Sequence, residues 1–152
     1  MAESFRNFIK TANTGSSSEV IVIPSGTSSS SDSRDAGSVA QVHSIYISQY
    51  TSSKYKGIER YNPKNFNAFN LYIKDTVNNN KVYIVFDGRI VPGSPFFIEK
   101  NITLEVTQAL CIECPQDSYD YNMENNTSVK LNSNGATLHI TASAVLFPDA
   151  NQ

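Results

Sequence analysis

Alternation of apolar and polar positions is the main signal in this chain, and it predicts β-strands. Residues 69–76 (FNLYIKDT) and 81–88 (KVYIVFDG) each place apolar side chains at every second position, with Phe86 on the apolar side of the second run. Residues 77–80 (VNNN) separate the runs and tolerate a positive φ. The pattern therefore predicts an antiparallel hairpin over residues 69–88.

Further strand-like runs occur on both sides of this hairpin. Residues 39–50 (VAQVHSIYISQY) and 102–106 (ITLEV) are rich in β-branched and aromatic residues. The last run, residues 136–147 (ATLHITASAVLF), keeps one apolar face that narrows to alanine. Small inward side chains permit the close approach of an opposing layer, as a sandwich core requires.

Turn chemistry between these runs predicts how the chain passes from one sheet to another. Asp87 and Gly88 predict a turn after the hairpin. Pro92 and Pro95 each lack a backbone donor, so they exclude a central strand at those positions. We expect the chain to cross between two sheets there.

The N-terminal segment and three polar insertions complete the predicted organisation. Residues 3–12 (ESFRNFIKTA) have apolar side chains at helical spacing, but a run this short forms at most a marginal helix, and an extended arm is the alternative. Residues 25–38, 50–68 and 112–134 read as long loops. We predict an all-β fold, an antiparallel two-sheet sandwich of jelly-roll-like form with long loops and a short N-terminal arm. The arm spans residues 1–18, the sandwich 19–148 and the C-terminal tail 149–152.

The amino-acid composition limits which classes of binding partner are expected. The chain has 152 residues, of which 17% are charged, and its formal net charge is −2. This balance gives no electrostatic reason to expect nucleic acid or an anionic membrane as partner. The N-terminus lacks the apolar region of a signal peptide, and no apolar run is long enough to span a bilayer. We expect a soluble protein made in the cytoplasm.

The cysteines form a single C-x-x-C at Cys111 and Cys114. A zinc site normally needs four ligands, so a Cys2His2 site would also require His43 and His139. A thioredoxin-like motif would stand at the start of a helix, whereas this pair follows a strand-like run. Two ordinary thiols, one a small buried hydrophobe and one in a loop, is the favoured interpretation.

Other catalytic and ligand-binding signatures are weak. The sequence has no G-x-S-x-G elbow and no P-loop, and His139 reads as a surface or interface histidine. An oxygen-rich loop containing Asp117, Asp120, Asn122 and Glu124 lacks the residue order of an EF-hand, and a solvated acidic loop is favoured over a calcium site. We therefore predict no catalytic residue, no metal and no cofactor, and a protein that is not an enzyme.

Several short runs together resemble a group of known proteins. SFRNFI, VIVIPSGTS, VHSIYISQ, YIVFDGRIVPGSPF and TLHITASAVLF resemble segments of the small β-sandwich virion structural proteins of tailed bacteriophages. The insertions near residues 25–38, 50–68 and 112–134 depart from the usual short form of that group. The resemblance implies a non-enzymatic particle component attached to the capsid, the neck or the tail.

The expected function is a capsid decoration or accessory protein that binds repeated sites on a virion, as a homo-oligomer and with other virion proteins as partners. The arm and the 50–68 loop are the expected contact regions, and deletion of residues 1–12 is expected to leave a folded sandwich that no longer joins particles. The interface candidates are Phe5, Phe8, Tyr55, Tyr61 and Phe66.

Two alternatives stay open at this point. One is a structural protein of the neck or tail. The other is a carbohydrate-binding module for host receptors, in which Tyr119 and Tyr121 would stack on sugars while Asp117 and Asp120 hold calcium.

Overall fold

The computed structural model describes residues 3–13, 19–27, 34–51, 67–90, 94–114, 119–122, 127–130 and 136–148. All regular structure in these ranges is β-strand, as the alternation predicts. No helix in the described ranges is long and apolar enough to cross a membrane. The strands are β1 (Ser4–Asn13), β2 (Val20–Ile23), β3 (Ser38–Thr51), β4 (Asn67–Asp75), β5 (Lys81–Ile90), β6 (Phe96–Ile98), β7 (Ile102–Leu104), β8 (Gln108–Glu113), β9 (Tyr119–Asn122), β10 (Thr127–Lys130) and β11 (Ala136–Pro148).

The strands form two antiparallel sheets and a separate two-stranded pair. The first sheet has the order β1-β11-β3, and the short strands β6 and β7 both pair with the free side of β3. The second sheet has the order β2-β8-β4-β5, while β9 pairs with β10. The chain passes from β5 in the second sheet to β6 in the first, which confirms the crossing predicted from the prolines.

The two sheets pack face to face around one main apolar core, which confirms the predicted sandwich. Side chains from both sheets meet there, as in the edge-to-face contact of Phe69 and Phe96, whose ring centres lie 5.4 Å apart. Ala142 and Ala144 are fully buried on β11, so the small inward residues do face the opposing layer. Their small volume permits the close approach of the two sheets.

The β4–β5 hairpin is confirmed, but the turn predicted at Asp87 and Gly88 is wrong. Strand β5 continues through both residues, and its register against β4 shifts twice. Asp87 takes a left-handed conformation (φ 53°), and its N–H donates to the Asn70 Oδ1 atom at 2.8 Å. The sequence feature read as a turn is a bulge that interrupts the alternation. Phe86 is therefore 70% exposed instead of facing the core.

The N-terminal segment is extended and belongs to the first sheet. Residues 4–13 pair with β11 along their whole length, so the predicted arm contains an edge strand. Phe8 and Ala12 on this strand are buried in the core. Deleting residues 1–12 would remove core side chains and uncover one side of β11, which corrects the expectation that the sandwich is independent of this segment.

Arg34 joins the two sheets at one end of the sandwich. Its side chain is almost fully buried, and its guanidinium donates to the carbonyl oxygens of Ser38 at 2.9 Å and Glu105 at 2.6 Å. It also donates to the carbonyls of Val106 at 3.3 Å and Gln108 at 3.2 Å. Because β3 begins at Ser38 and β8 at Gln108, one side chain connects the starts of strands from different sheets.

Burial destabilises the charged form of the Arg34 side chain, and this lowers its pKa. Burial lowers the pKa of Arg34 to about 10, and the nearby Glu105 carboxylate opposes the shift only in part. The compensation comes from the four carbonyl oxygens, because charge-assisted hydrogen bonds are stronger than neutral ones. Gly26 lies against the same end of the sandwich, where a Cβ atom would lie 2.9 Å from the Ser38 oxygen.

We expect Arg34→Met to destabilise the fold by about 3 kcal/mol, since it removes the donors of partly buried carbonyls while keeping the length of the side chain. Chemical denaturation measures this change. Arg89→Met is the matched control, because Arg89 is exposed and its guanidinium lies 3.7 Å from the Asp87 carboxylate, a surface pair worth about 0.5 kcal/mol or less. Equal denaturation midpoints for the two variants would contradict the role given to Arg34.

Candidate protein interface on the first sheet

Large apolar side chains are exposed on the outer face of the first sheet. Phe5 is 65% exposed, Ile9 69%, Tyr46 41% and Phe97 52%. They point away from the core because strand residues alternate between faces, and their neighbours Phe8, Ile45 and Ile47 are buried. An exposed apolar group that spans a whole sheet is typical of a contact surface.

Strand pairing places these side chains in a row across the sheet. Ile9 on β1 is paired with Thr141 on β11, Thr141 with Tyr46 on β3, and Tyr46 with Phe97 on β6. The rings of Tyr46 and Phe97 meet edge to face with their centres 6.0 Å apart. Phe5 lies on the same face, paired with Val145. The row therefore runs from one edge of the sheet to the other.

The same face carries no Asp, Glu, Lys or Arg at the outward positions of its described strands. Between the apolar side chains lie short polar ones, and the Ser143 hydroxyl donates to the Asn7 Oδ1 atom at 2.7 Å. We call this surface the charge-free face. Its outward positions are Phe5, Asn7, Ile9, Thr11, Val39, Gln41, His43, Ser44, Tyr46, Ser48, Phe97, Thr103, Thr137, His139, Thr141, Ser143, Val145 and Phe147.

The outer side of the second sheet differs because it carries paired charges. Tyr72 lies there fully buried, and its hydroxyl donates to the Glu19 carboxylate. The Lys74 ammonium donates to the same carboxylate at 3.1 Å. The Lys81 ammonium lies 4.7 Å from the centre of the Tyr72 ring and 3.8 Å from the Glu113 carboxylate. This side of the molecule therefore carries charged side chains beside exposed apolar ones, Ile21, Tyr83 and Phe86.

The ionisation of this polar cluster follows from its contacts. Burial opposes the charge on Glu19, but the hydrogen bonds from Tyr72 and Lys74 outweigh it and hold the pKa of Glu19 below its ordinary value. Burial and the adjacent Glu19 carboxylate raise the pKa of Tyr72 far above its ordinary value. The cluster thus holds a carboxylate in its charged form and a phenol in its neutral form, the arrangement of a structural hydrogen bond.

The cysteines and histidines lie on different sheets. Both thiols are buried, Cys111 on the outer side of β8 beside Tyr72 and Cys114 in the main core. His43 and His139 are exposed on the charge-free face, and the His43 Nδ1 atom lies 3.1 Å from the Asn101 Oδ1 atom. The Cys2His2 alternative does not fit this arrangement, and the described residues contain no group of three or more metal-ligand side chains. The sequence predicts one buried thiol and one in a loop, but both thiols are buried, and Cys114, which directly follows β8, belongs to the main core.

The predicted interface residues differ in where the structure places them. Phe5 lies on the charge-free face as an exposed side chain, whereas Phe8 is 5% exposed and belongs to the core, so it is not accessible as an anchor. Tyr55, Tyr61 and Phe66 lie outside the described residues. Sequence reasoning did not select Ile9, Tyr46 or Phe97 as contact residues. The available signal was their alternation with buried neighbours, which marks outward apolar positions.

The candidate calcium and sugar contacts are not described. Asp117 and Glu124 lie outside the described residues, and Tyr119, Asp120, Tyr121 and Asn122 form strand β9, of which only the backbone is described. The carbohydrate-binding alternative therefore stays a prediction.

Comparison with known proteins gives little further information. No protein-family model matches the chain, and no curated protein matches it. Among solved structures, the chain is similar to one from tomato aspermy virus, determined by X-ray crystallography, with 11% identity and a TM-score of 0.35. The match covers 99% of this chain and 81% of that chain. A likeness at this level carries no argument about fold or function.

The buried thiols predict a loss of stability at alkaline pH. Burial, with Glu19 near Cys111 and Glu113 near Cys114, raises the pKa of each thiol to about 12. In the unfolded chain a thiol loses its proton near about pH 8.5, so between these values the folded state holds more protons and stability falls as pH rises. Each thiol should contribute a slope of about 1 kcal/mol per pH unit.

Denaturation from pH 6 to pH 11 measures this slope in the wild type and in a Cys111→Ala, Cys114→Ala double variant. The substitutions lower stability at every pH through lost packing, so the comparison concerns slopes. We expect parallel curves below pH 8 and a shallower decline for the double variant above about pH 8.5. Parallel curves throughout would contradict the assigned protonation.

Proposed function

We propose that this protein is a non-enzymatic structural component of a tailed-bacteriophage virion, held among its neighbours by contacts of the charge-free face. The observation that carries the proposal is the row of exposed apolar side chains, Ile9, Tyr46 and Phe97, on a sheet face without charged strand positions. The favoured position is that of a capsid decoration or accessory protein. Attachment to the neck or the tail is the alternative.

The composition of this face supports protein contact. The cores of protein interfaces are depleted in charged residues and enriched in aromatic ones. Burying a side chain such as Ile9 or Phe97 contributes roughly 1.5–3 kcal/mol of transfer free energy, and no ion needs to be desolvated. The outer side of the second sheet lacks this advantage, because Lys81 and Glu113 would lose water in any contact.

The edges of the sandwich favour contact through a face instead of through strand addition. Strand β5 is interrupted by two register shifts, and β6 and β7 are only three residues long each. Edge strand β1 carries Arg6 and Lys10 on its inner side, where Phe8 and Ala12 are buried. Bulges, short strands and inward charges all hinder pairing with another chain. The resemblance of the sequence to small virion β-sandwich proteins agrees with such a non-polymerising unit.

Particle binding tests the proposal directly. The double variant Ile9→Asp, Phe97→Asp places charges on the charge-free face, and we expect it to associate with purified virions at least about tenfold more weakly than the wild type. Co-sedimentation with particles that lack the protein measures this association. Separate capsid and tail fractions distinguish decoration from attachment to the neck or tail.

Phe86→Asp is the matched control, because Phe86 is as exposed as Ile9 but lies on the second sheet. It should sediment with particles as the wild type does, and unfolding curves should show that all variants remain folded. A wild type that binds neither capsids nor tails would contradict the proposed function. Equal losses in the control and the double variant would contradict the role of the face.

A further inference from the structure

The charge-free face is large enough for a stable contact between two folded subunits. Strand β1 has ten residues, and the sheet is four strands wide. With a rise of about 3.3 Å per residue and about 4.8 Å between strands, the face has a projected area of roughly 600 Å². Its accessible area is larger because the side chains stand above this plane. A standard interface buries about 800 Å² on each partner.

The chemistry of the face suits a copy of itself. In a twofold contact the same patch meets itself, so a charge on it finds a partner only where the patch carries an opposite charge at the symmetry-related position, and otherwise it is desolvated without one. The outward positions of the described strands on this face carry no Asp, Glu, Lys or Arg, so a twofold contact through them desolvates none of these charged side chains. The charged outer side of the second sheet would bring Lys81 and Glu113 into such a contact and require their desolvation.

The row across the sheet selects one direction for the twofold axis. An axis along the strands, between β11 and β3, places Ile9 of one copy against Phe97 of the other, and Thr141 against Tyr46. A short side chain then faces a long one, as packing at the usual sheet separation of about 10 Å requires. An axis across the strands would instead place each bulky ring of the row against its own copy.

We propose that two copies of this chain pack their charge-free faces together about a twofold axis that runs along the strands. The inference rests on the proposed function only for the use of this face as a contact surface. The dimer directs both second sheets outward. The neighbour that covers the charge-free face in the particle is then a second copy of the chain.

Sedimentation equilibrium of the purified protein tests the dimer. We expect the wild type to dimerise and Ile9→Asp to dissociate roughly 100-fold more readily, because each substitution occurs twice in a twofold interface. Phe97→Lys should have a similar effect, and Phe86→Asp on the second sheet should dimerise normally. A monomeric wild type, or an Ile9→Asp protein that dimerises as the wild type does, would overturn the proposal.

A mixture of the two weakened variants tests the direction of the axis. When Ile9→Asp and Phe97→Lys chains meet in the proposed geometry, the new carboxylate faces the new ammonium and the second pair remains apolar. We expect the mixture to form heterodimers more tightly than either variant forms homodimers. Absence of this rescue would overturn the proposed axis.

Particle binding separates this inference from the proposed function. A monomer that joins particles through the charge-free face would refute the dimer and leave the function intact. A dimer that joins no particle would do the reverse.

Discussion

Each strand of the two main sheets has an inward face committed to one apolar core, and this burial is the interaction on which the rest of the molecule depends. This burial determines which side chains point outward to the surface. Ile45 and Ile47 are fully buried, so Tyr46 between them must point outward. Arg34 fixes the same arrangement at one end, since its guanidinium bonds carbonyls at the starts of β3 and β8.

The outward faces that remain are chemically unequal. One side of the sandwich has paired charges, with Glu19 bound by both Tyr72 and Lys74. The other side keeps apolar and short polar groups. Because both faces have exposed large apolar side chains, exposure alone does not distinguish them, and the distribution of charge does. Exposure of an uncharged, partly apolar face to water is unfavourable, and covering it requires no ion to be desolvated. We therefore place the subunit contact there.

The alternation of apolar and polar residues along the strands predicts most of the fold. The sandwich, the β4–β5 hairpin and the crossing after β5 follow from local pattern and turn chemistry. The failures arose where tertiary pairing overrides local preference. The bulge at Phe86 and Asp87 resembles a turn in sequence, and Phe8, predicted as a contact residue, is buried in the core because β1 pairs with β11. The contact row was not foreseen, because its members come from four strands that only sheet order brings together.

We propose that the charge-free face, and not the charged one, is covered in the assembled particle. Hydroxyl-radical footprinting of aromatic side chains measures this directly, when the free protein, diluted below the concentration at which it dimerises, is compared residue by residue with the assembled particle. The account predicts that Tyr46 and Phe97 lose reactivity on assembly while Tyr83 and Phe86 on the second sheet keep theirs. Protection of Tyr83 and Phe86, with Tyr46 and Phe97 unchanged, would contradict it.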